Sequence, residues 1–279
     1  MRRIMISILF VLPFLVPGTA WPQNATTDSA LTVTATSTQG TMLAGQALAS
    51  LTSGVSIADV TLHGTATWLA GSDVRKGSVV LKARGSGQSR VDFDLEGWQR
   101  TEIRNTAGGF PDGAWIDPGG IAHGLSQHNC WADAVWFFPA LSSLTSIYRT
   151  DVVISYVGHE KLEGMAVEHL RFSRVMAAKP KAAAEIGRLS TVDIYVDPAS
   201  LLTVAIVFNA HPDDDGTADI PVKVLFSDYR VVNGVRIPFH IQKFMNGGLT
   251  LDIVIDSAVF NSGLPDSDFA VPVTEGDQP

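Results

Sequence analysis

The chain has 279 residues and a formal net charge of −8, with 46% hydrophobic and only 17% charged residues. An acidic chain without a basic run is a poor candidate for binding nucleic acid or an anionic membrane surface. Its single cysteine excludes an internal disulfide, so stability must come from an apolar core, which a chain of this length can build.

The N-terminus has the layout of a secretory signal peptide. Arg2 and Arg3 precede an apolar run over residues 4–16, and small residues follow as far as Ala20. This run is shorter than the roughly 20 residues that a helix needs to span a bilayer. We therefore predict a signal peptide at residues 1–20, cleaved near Ala20, and a mature protein that is periplasmic or secreted. An uncleaved membrane anchor is the alternative.

One amphipathic helix is predicted before the first strand. Residues 21–37 are rich in Thr, Ser and Ala and are expected to form a mobile lead-in. Thr36 and Gln39 then resemble a capping box, and leucines and alanines recur at helical spacing over residues 38–52. Because one side of this helix is apolar, we expect it to pack against another part of the chain.

Alternating apolar residues predict an antiparallel sheet over most of the chain, and most clearly in its last third. Val235, Ile237 and Phe239 alternate there with polar residues, so one face of the strand should be buried and the other solvated. Residues 60–105 show the same period of two. Further strands are predicted at residues 152–157, at residues 167–175 and from residue 191 onward.

The middle of the chain departs from this alternation. Residues 108–130 are dense in Gly, Pro and Asp, and two short strands are expected near residues 114–116 and 121–123. Residues 131–144 contain three consecutive aromatic residues before Pro139. We interpret this stretch as a short helix that bends at the proline.

Two stretches of the last third carry a family resemblance. They are Tyr195-Val196-Asp197-Pro198 followed by Leu201-Leu202, and Asp228-Tyr229-Arg230 followed by Gly234 and Ile237-Pro238-Phe239. Together with the order of the elements, they resemble the late strands and the C-terminal hairpin of the LolA/LolB-like superfamily, which includes periplasmic carriers of outer-membrane lipoproteins. The resemblance covers residues 38–272 as one β domain and leaves residues 273–279 as a tail.

The resemblance implies a mainly β fold, in which a single curved antiparallel sheet, or half-barrel, carries a few helices on its concave face. It also implies non-catalytic binding of a lipid or a lipoprotein acyl chain in an apolar groove. The expected partners are a lipid or an acylated lipoprotein, with an outer-membrane or periplasmic protein as a further candidate and no nucleic acid. The alternative is a periplasmic protein-interaction or sensor module whose groove is filled by its own helices.

Aromatic side chains are the best candidates for the wall of such a groove. They lie on the apolar faces of the predicted strands and on the stretch at residues 131–144. The candidate ligand-binding residues are Trp68, Phe93, Trp131, Trp136, Phe137, Phe138, Phe208, Phe226 and Phe239. Ordinary packing between helix and sheet would use the same residues, so both interpretations stay open.

Two groups of polar side chains are weaker candidates for chemistry. His123, His128 and Cys130 lie close in sequence, but their spacing matches no common zinc site, and a single cysteine gives no pair. Three consecutive aspartates at residues 213–215 lack the spacing of a calcium-binding loop. We therefore predict no catalytic residue, no metal and no cofactor. A hydrolase or metal enzyme around His123 and His128 is the third hypothesis, after acyl binding and the interaction or sensor module.

Overall fold

Within the described residues, thirteen antiparallel strands form one open sheet, which confirms the predicted mainly β fold. The computed structural model describes residues 36–106, 110–176 and 181–273. The predicted signal peptide, its cleavage position, nearly all of the lead-in and nearly all of the tail lie outside the described residues.

Helices are few beside the strands. The strands are β1 Asp59–Ala70, β2 Asp73–Arg84, β3 Gln88–Leu95, β4 Trp98–Asn105, β5 Asp112–Ile116, β6 Ala122–Gly124, β7 Val152–Leu162, β8 Met165–Arg174, β9 Val192–Val196, β10 Thr203–Ala210, β11 Ile220–Val232, β12 Val235–Met245 and β13 Gly248–Phe260. The α-helices are α1 Thr38–Thr52 and α2 Ala183–Leu189, and 3₁₀ turns cover Gln127–Trp131, Pro139–Leu141, Ser143–Tyr148 and Asp266–Phe269. In the part of the chain that the structure describes, no helix has the length and apolar character of a membrane span.

The strand order joins the first and last strands in the middle of the sheet. β1 pairs with β13, and from this pair the sheet continues on one side through β2 to β6 and on the other side through β12 to β7. β6 and β7 are therefore opposite edges, although they are consecutive in the chain. We call their connection, residues 125–151, the inserted segment. It has to pass from one edge of the sheet to the other.

The sheet is curved, because residues from distant strands meet. In a flat sheet, β4 and β8 would be nine strand spacings apart, or about 43 Å. Yet one small cavity of about 70 Å³ is lined both by Thr106, just after β4, and by Phe172 of β8. Similarly, Glu102 of β4 and Lys243 of β12 lie near enough to shift each other's pKa. The predicted half-barrel is therefore present.

Alternation along each strand divides the sheet into two faces, as the sequence predicts. On β12, Ile237 and Ile241 are fully buried, whereas Arg236 is exposed. Cross-strand partners share a face, so Ile241 lines up with Phe226 of β11 and Ile253 of β13. We call the face with these apolar residues the inner face and the opposite one the outer face.

Helix α1 covers part of the inner face. Ser37 caps it, because its Oγ accepts a hydrogen bond from the N–H of Gly40 at 2.8 Å. The predicted cap, Thr36, is wrong; its hydroxyl instead accepts from the N–H of Ile154 in β7. Ala44 of α1 is fully buried, and the helix packs against β7, β12 and the inserted segment. The predicted helix on the concave side is thereby confirmed.

The inserted segment forms separate 3₁₀ turns where the sequence predicts a short helix at residues 131–144. Pro139 begins the second turn, and its missing N–H and bulky ring oppose a longer helix through this point. Hydrogen bonds to the side chain of Asp133, donated by the N–H groups of Val135 and Ser143, replace those that a helix would supply. The predicted helix is therefore wrong, although the position of its break at the proline agrees with the structure.

Gly64 is needed where β1 and β13 approach closely. A Cβ atom at Gly64 would lie 2.4 Å from the carbonyl oxygen of Val254, a backbone atom that cannot turn away. We expect Gly64→Ala to lower the free energy of unfolding by about 1–3 kcal/mol, the usual cost of overpacking. Chemical denaturation of the purified variant measures this loss.

Gly45→Ala is the matched control, because it makes the same change where space is available. The nearest atom to a Cβ at Gly45 of α1 is Cδ1 of Ile147 at 4.0 Å. Since alanine is the better helix former, this variant should gain about 0.5–1 kcal/mol. An unchanged stability of Gly64→Ala would show that β1 and β13 do not approach this closely in solution.

Candidate functional site

The nine predicted aromatic side chains all pack into apolar clusters. Trp136, Phe137 and Phe138 of the inserted segment join the inner face of the sheet in one continuous core. The strand residues in or against this core are Trp68, Phe93, Phe208, Phe226 and Phe239. Trp131 lies apart, in a small cluster with Ile186 of α2. The structure therefore brings eight of the nine residues together.

An aromatic group stands on the inner face of β1, β3 and β4. Trp68 lies 5.4 Å from Phe93 and 5.1 Å from Trp98 between ring centroids, and Phe93 and Trp98 are 6.4 Å apart. Trp98 is absent from the predicted set. Its signal is the alternation of β4 itself, since Trp98 pairs with the buried Leu95 of β3 and so shares its face.

The inserted segment fills the inner face beside this aromatic group. Phe137, Phe138 and Leu144 are fully buried. Phe138 lies 6.1 Å from the ring centroid of Phe260 at the end of β13, so the segment reaches the middle of the sheet. A ligand on the inner face would therefore have to displace side chains of the inserted segment.

A buried carboxyl group ties the inserted segment together. Asp133 accepts hydrogen bonds from the N–H of Val135 at 3.0 Å and from the N–H and hydroxyl of Ser143 at 3.0 and 2.9 Å. Burial raises the pKa of Asp133, and these hydrogen bonds and the charge of Arg104 oppose the rise only in part. Asp133 is thus a buried group whose hydrogen bonds fix the fold of the segment.

Polar contacts fasten the start of the inserted segment to the loop between β10 and β11. The side-chain amide of Asn129 donates to the carbonyl oxygen of His211 and accepts from the N–H of the same residue, both at 2.8 Å. His128 Nε2 lies 2.8 Å from the carbonyl oxygen of Pro212. We call these contacts the clasp, because they join the segment to a part of the sheet that is remote in sequence.

The histidines and the cysteine that lie close in sequence have different partners. His123 stacks on Trp115 with 4.2 Å between centroids and pairs with Asp117 at 3.1 Å, whereas His128 belongs to the clasp. Cys130 is buried, and burial raises the pKa of its thiol. Among the described residues, no three histidine, cysteine or carboxylate side chains form a group that could hold a metal ion.

Two carboxylates of the acidic loop between β10 and β11, Asp215 and Asp219, are engaged with the protein. Asp215 accepts hydrogen bonds from the N–H and hydroxyl of Thr217 at 2.9 and 2.6 Å. Asp219 lies 2.8 Å from Arg188 and 3.0 Å from His211. These contacts stabilise the loop itself and its junction with α2.

A serine, a histidine and an aspartate line up on the outer face. Ser227 Oγ lies 3.2 Å from His240 Nδ1, and His240 Nε2 lies 3.1 Å from Asp252. The side chains of His240 and Asp252 keep 33% and 27% of their surface exposed. Acyl-transfer chemistry needs enclosed donors around a developing oxyanion, which an exposed sheet face does not supply. The three residues therefore form a surface hydrogen-bond network.

Four charged side chains stand on the inner face, where the sequence predicts apolar ones. Arg100, Glu102 and Arg104 alternate along β4 after Trp98, and the β3 partners of all three are buried. Lys243 of β12 lies on the same face, because its partner in β13 is buried as well. We call Arg100, Glu102, Arg104 and Lys243 the charged group.

Arg100 lies between an ion-pair partner and aromatic rings. Its Nε donates to Glu102 at 2.9 Å, and the two side chains keep only 20% and 25% of their surface exposed. Its guanidinium carbon lies 4.1 Å from the ring centroid of Trp115 and 5.9 Å from that of Trp68. These are distances at which a cation is attracted to an aromatic face. The charged group thus borders directly on the aromatic group.

The other two cations are in contact with the inserted segment. Arg104 Nη1 donates to the carbonyl oxygen of Asn129 at 2.8 Å, next to the clasp. Lys243 Nζ lies 4.4 Å from the ring centroid of Trp136. A movement of the inserted segment away from the sheet would therefore remove a partner from both cations at once.

The charged group contains three cations and one carboxylate. Burial would raise the pKa of Glu102, but Lys243, Arg100 and Arg104 together bring it below its usual value. Burial lowers the pKa of Lys243, and the two arginines lower it further, while Glu102 alone opposes them. The excess positive charge stands out because the chain as a whole is acidic.

Comparisons by sequence identify no relative, whereas comparisons of structure do. No protein-family model matches the chain, and no curated protein matches its sequence. A protein domain from Vibrio parahaemolyticus, described as an outer membrane lipoprotein-sorting protein, superposes with a TM-score of 0.53 at 12% identity, covering 83% of this chain and 96% of that one.

Two further solved structures are similar. A DUF1329 family protein from Desulfovibrio piger has a TM-score of 0.53 at 14% identity, covering 85% of this chain and 98% of that one. A LolA superfamily protein from Nitrosomonas europaea has a TM-score of 0.49 at 10% identity, with 81% and 97% covered. At these identities the likeness concerns the fold. The fold expected from the LolA/LolB-like resemblance is therefore confirmed by the lipoprotein-sorting domain and the DUF1329 family protein.

Proposed function

We propose that this protein is a non-catalytic binding protein of the periplasm that holds an acyl chain of a lipid or lipoprotein on the inner face of its sheet. The observation that carries the proposal is the irregular cover of an extensive apolar face. Short 3₁₀ turns of the inserted segment cover that face. The fold shared with a lipoprotein-sorting domain supports the same proposal.

Binding requires the inserted segment to leave part of the inner face. An acyl chain would then replace Phe137 and Phe138 against the sheet, and each buried CH₂ group would contribute about 0.8 kcal/mol. The clasp, through Asn129 and His128, holds the segment in its closed position. Because only open molecules can bind, the measured affinity is the affinity of the open form multiplied by the fraction of molecules that are open.

The location and the partners belong to the same proposal. The signal peptide predicted at residues 1–20 would deliver the protein to the periplasm or outside the cell. The partners would be a lipid or an acylated lipoprotein, with an outer-membrane or periplasmic protein delivering or receiving it. No cofactor enters this function.

A protein-interaction or sensor module is the second candidate, and one observation favours it. The inner face is already filled, with Phe137 and Phe138 fully buried in the core. If the inserted segment never opens, the ligand groove does not exist, and the outer surfaces of the protein carry its function.

Titration with a fluorescent fatty acid separates the two candidates, and Asn129→Ala sharpens the test. This substitution removes the two hydrogen bonds to His211, each worth about 0.5–1.5 kcal/mol. If binding needs an open segment, the variant should bind the probe about tenfold more tightly, a factor that corresponds to about 1.4 kcal/mol.

Asn261→Ala is the matched control. The side chain of Asn261 donates to the carbonyl oxygen of Ser56 at 2.9 Å and accepts from the N–H of Ala58 at 2.7 Å, far from the clasp in the chain. This variant should lose stability without gaining affinity for the probe. If neither the wild-type protein nor Asn129→Ala binds the probe, the acyl-binding proposal is wrong and the interaction module becomes the better candidate.

A further inference from the structure

We propose that the charged group binds the anionic head group of an amphiphile whose acyl chain lies on the inner face. The inference deepens the proposed function and rests on it for the chain of the ligand. The charged group consists of Arg100, Glu102, Arg104 and Lys243 on β4 and β12. The head group would be a carboxylate or a phosphate, because both match several cations at short range.

The position of the charged group fits such a ligand. It lies on the same face as the apolar core and directly beside Trp68 and Trp115. An amphiphile whose chain lies along the core would therefore bring its head group to these cations.

The balance of charge favours an anion. Three cations on a half-buried face are costly, because each loses hydration. Two carboxyl groups act on them, Glu102 beside Arg100 and the buried Asp133 near Arg104, so the cations stay in excess. An arriving carboxylate or phosphate would supply the missing negative charge in a place where water screens it only in part. A neutral head group would gain nothing of this kind, so the site should discriminate by charge.

The inserted segment covers both parts of the proposed binding site, the apolar face for the chain and the cations for the head group. In the closed structure it covers the apolar face with Phe137 and Phe138 and also contacts two cations of the charged group. Asn129 accepts from Arg104, and the ring of Trp136 lies over Lys243. Opening of the segment would expose the chain site and release these two cations in one movement.

The test compares two probes that differ only in charge. A fluorescent fatty acid and its methyl ester have the same chain and fluorophore, but only the acid carries a head-group charge at neutral pH. Wild-type protein should bind the acid about tenfold more tightly than the ester, and the preference should shrink as salt is added.

Two substitutions should change the preference in opposite directions. Lys243→Met keeps the stem against Trp136 but removes the charge, and it should reduce the preference for the acid about tenfold. Glu102→Gln removes the competing carboxylate and should increase it. Lys76→Met, on an exposed lysine of the outer face of β2, is the matched control and should leave the preference unchanged. Circular dichroism checks that each variant is folded.

Unlabelled compounds that compete with the bound probe identify the kind of head group that the site prefers. Dodecanoate and dodecyl phosphate test carboxylate and phosphate head groups, and acetate and inorganic phosphate test the anion without a chain.

Equal binding of acid and ester by the wild type would overturn the head-group proposal and leave acyl binding in place. Failure of both probes to bind would overturn both proposals. Competition by acetate or inorganic phosphate as strong as that of the long-chain anions would also overturn the head-group proposal, since the site would then be a simple anion site.

Discussion

Ile237→Asp is expected to abolish folding at room temperature. Ile237 is fully buried on the inner face of β12. The substitution removes its apolar contacts, at about 2–5 kcal/mol for a large-to-small change, and adds an unpaired carboxylate whose burial costs several kcal/mol more. Together these losses are comparable to the whole stability of a typical domain, about 5–15 kcal/mol. Far-UV circular dichroism and the yield of soluble protein measure the outcome.

Three companion substitutions show whether burial causes the effect. Ile237→Val keeps the face apolar and should cost only about 0.5–1.5 kcal/mol. Val231→Asp places the same charge on a side chain that is 66% exposed and should change stability by less than about 0.5 kcal/mol. Phe239→Asp should cost less than Ile237→Asp, because the guanidinium of Arg230 already lies 4.4 Å from the ring centroid of Phe239. A folded Ile237→Asp protein with wild-type stability would refute the assignment of β12 to the inner face.

Trp136→Ala should lower the free energy of unfolding by about 3–5 kcal/mol, the usual cost for a buried tryptophan. Trp136 is 4% exposed, lies 5.6 Å from the ring of Phe137 and carries Lys243 over its face. The sheet should still form, because Trp136 belongs to its cover. The expected result is a large fall in melting temperature, measured by calorimetry, with the far-UV spectrum almost unchanged.

Trp136→Phe controls for the loss of aromatic contact. It keeps a ring beneath Lys243 and should recover much of the lost stability. Because Trp136 holds the inserted segment on the core, Trp136→Ala should bind the fatty-acid probe more tightly than the Phe variant if binding needs an open segment. A stability unchanged in the Ala variant would mean that the segment does not rest on the core in solution.

Local patterns were sufficient to predict the sheet. The alternation in β12 assigns Ile237 to the buried side and Arg236 to the exposed side, and the structure agrees. Helix α1 was predictable too, because its apolar residues recur at helical spacing, and its observed bounds, Thr38–Thr52, agree with the predicted residues 38–52. These elements depend mainly on neighbouring residues, and their local preferences agree with their packing.

The inserted segment was not predictable in the same way. Its aromatic residues indicate burial, but its path depends on Asp133, which replaces helical hydrogen bonds, and on the clasp to His211. Both contacts join positions that no local pattern connects. The eight core aromatics were predicted correctly as apolar and inward-facing, and their role in ligand binding stays a prediction.

The charged group was missed because a polar strand suggests a solvated one. Arg100, Glu102 and Arg104 alternate with Thr101 and Ile103, and by composition alone β4 could face either way. Only its pairing with the buried residues of β3 assigns the charged positions to the inner face. Lys243 of β12 lies near Glu102 of β4 because the sheet is curved.

The central pairing of β1 with β13 has a consequence for how the chain acquires its structure. Val60 pairs with Phe260, so the join in the middle of the sheet waits until nearly the whole described chain is available. Until then, β1–β6 and β7–β12 can form only two separate half-sheets, each with an unpaired edge open to mispairing. Contacts of such long sequence separation are associated with slow folding. The final strand thus acts as the closing element of the fold, and a newly made chain stays incomplete and vulnerable to aggregation until that strand is in place.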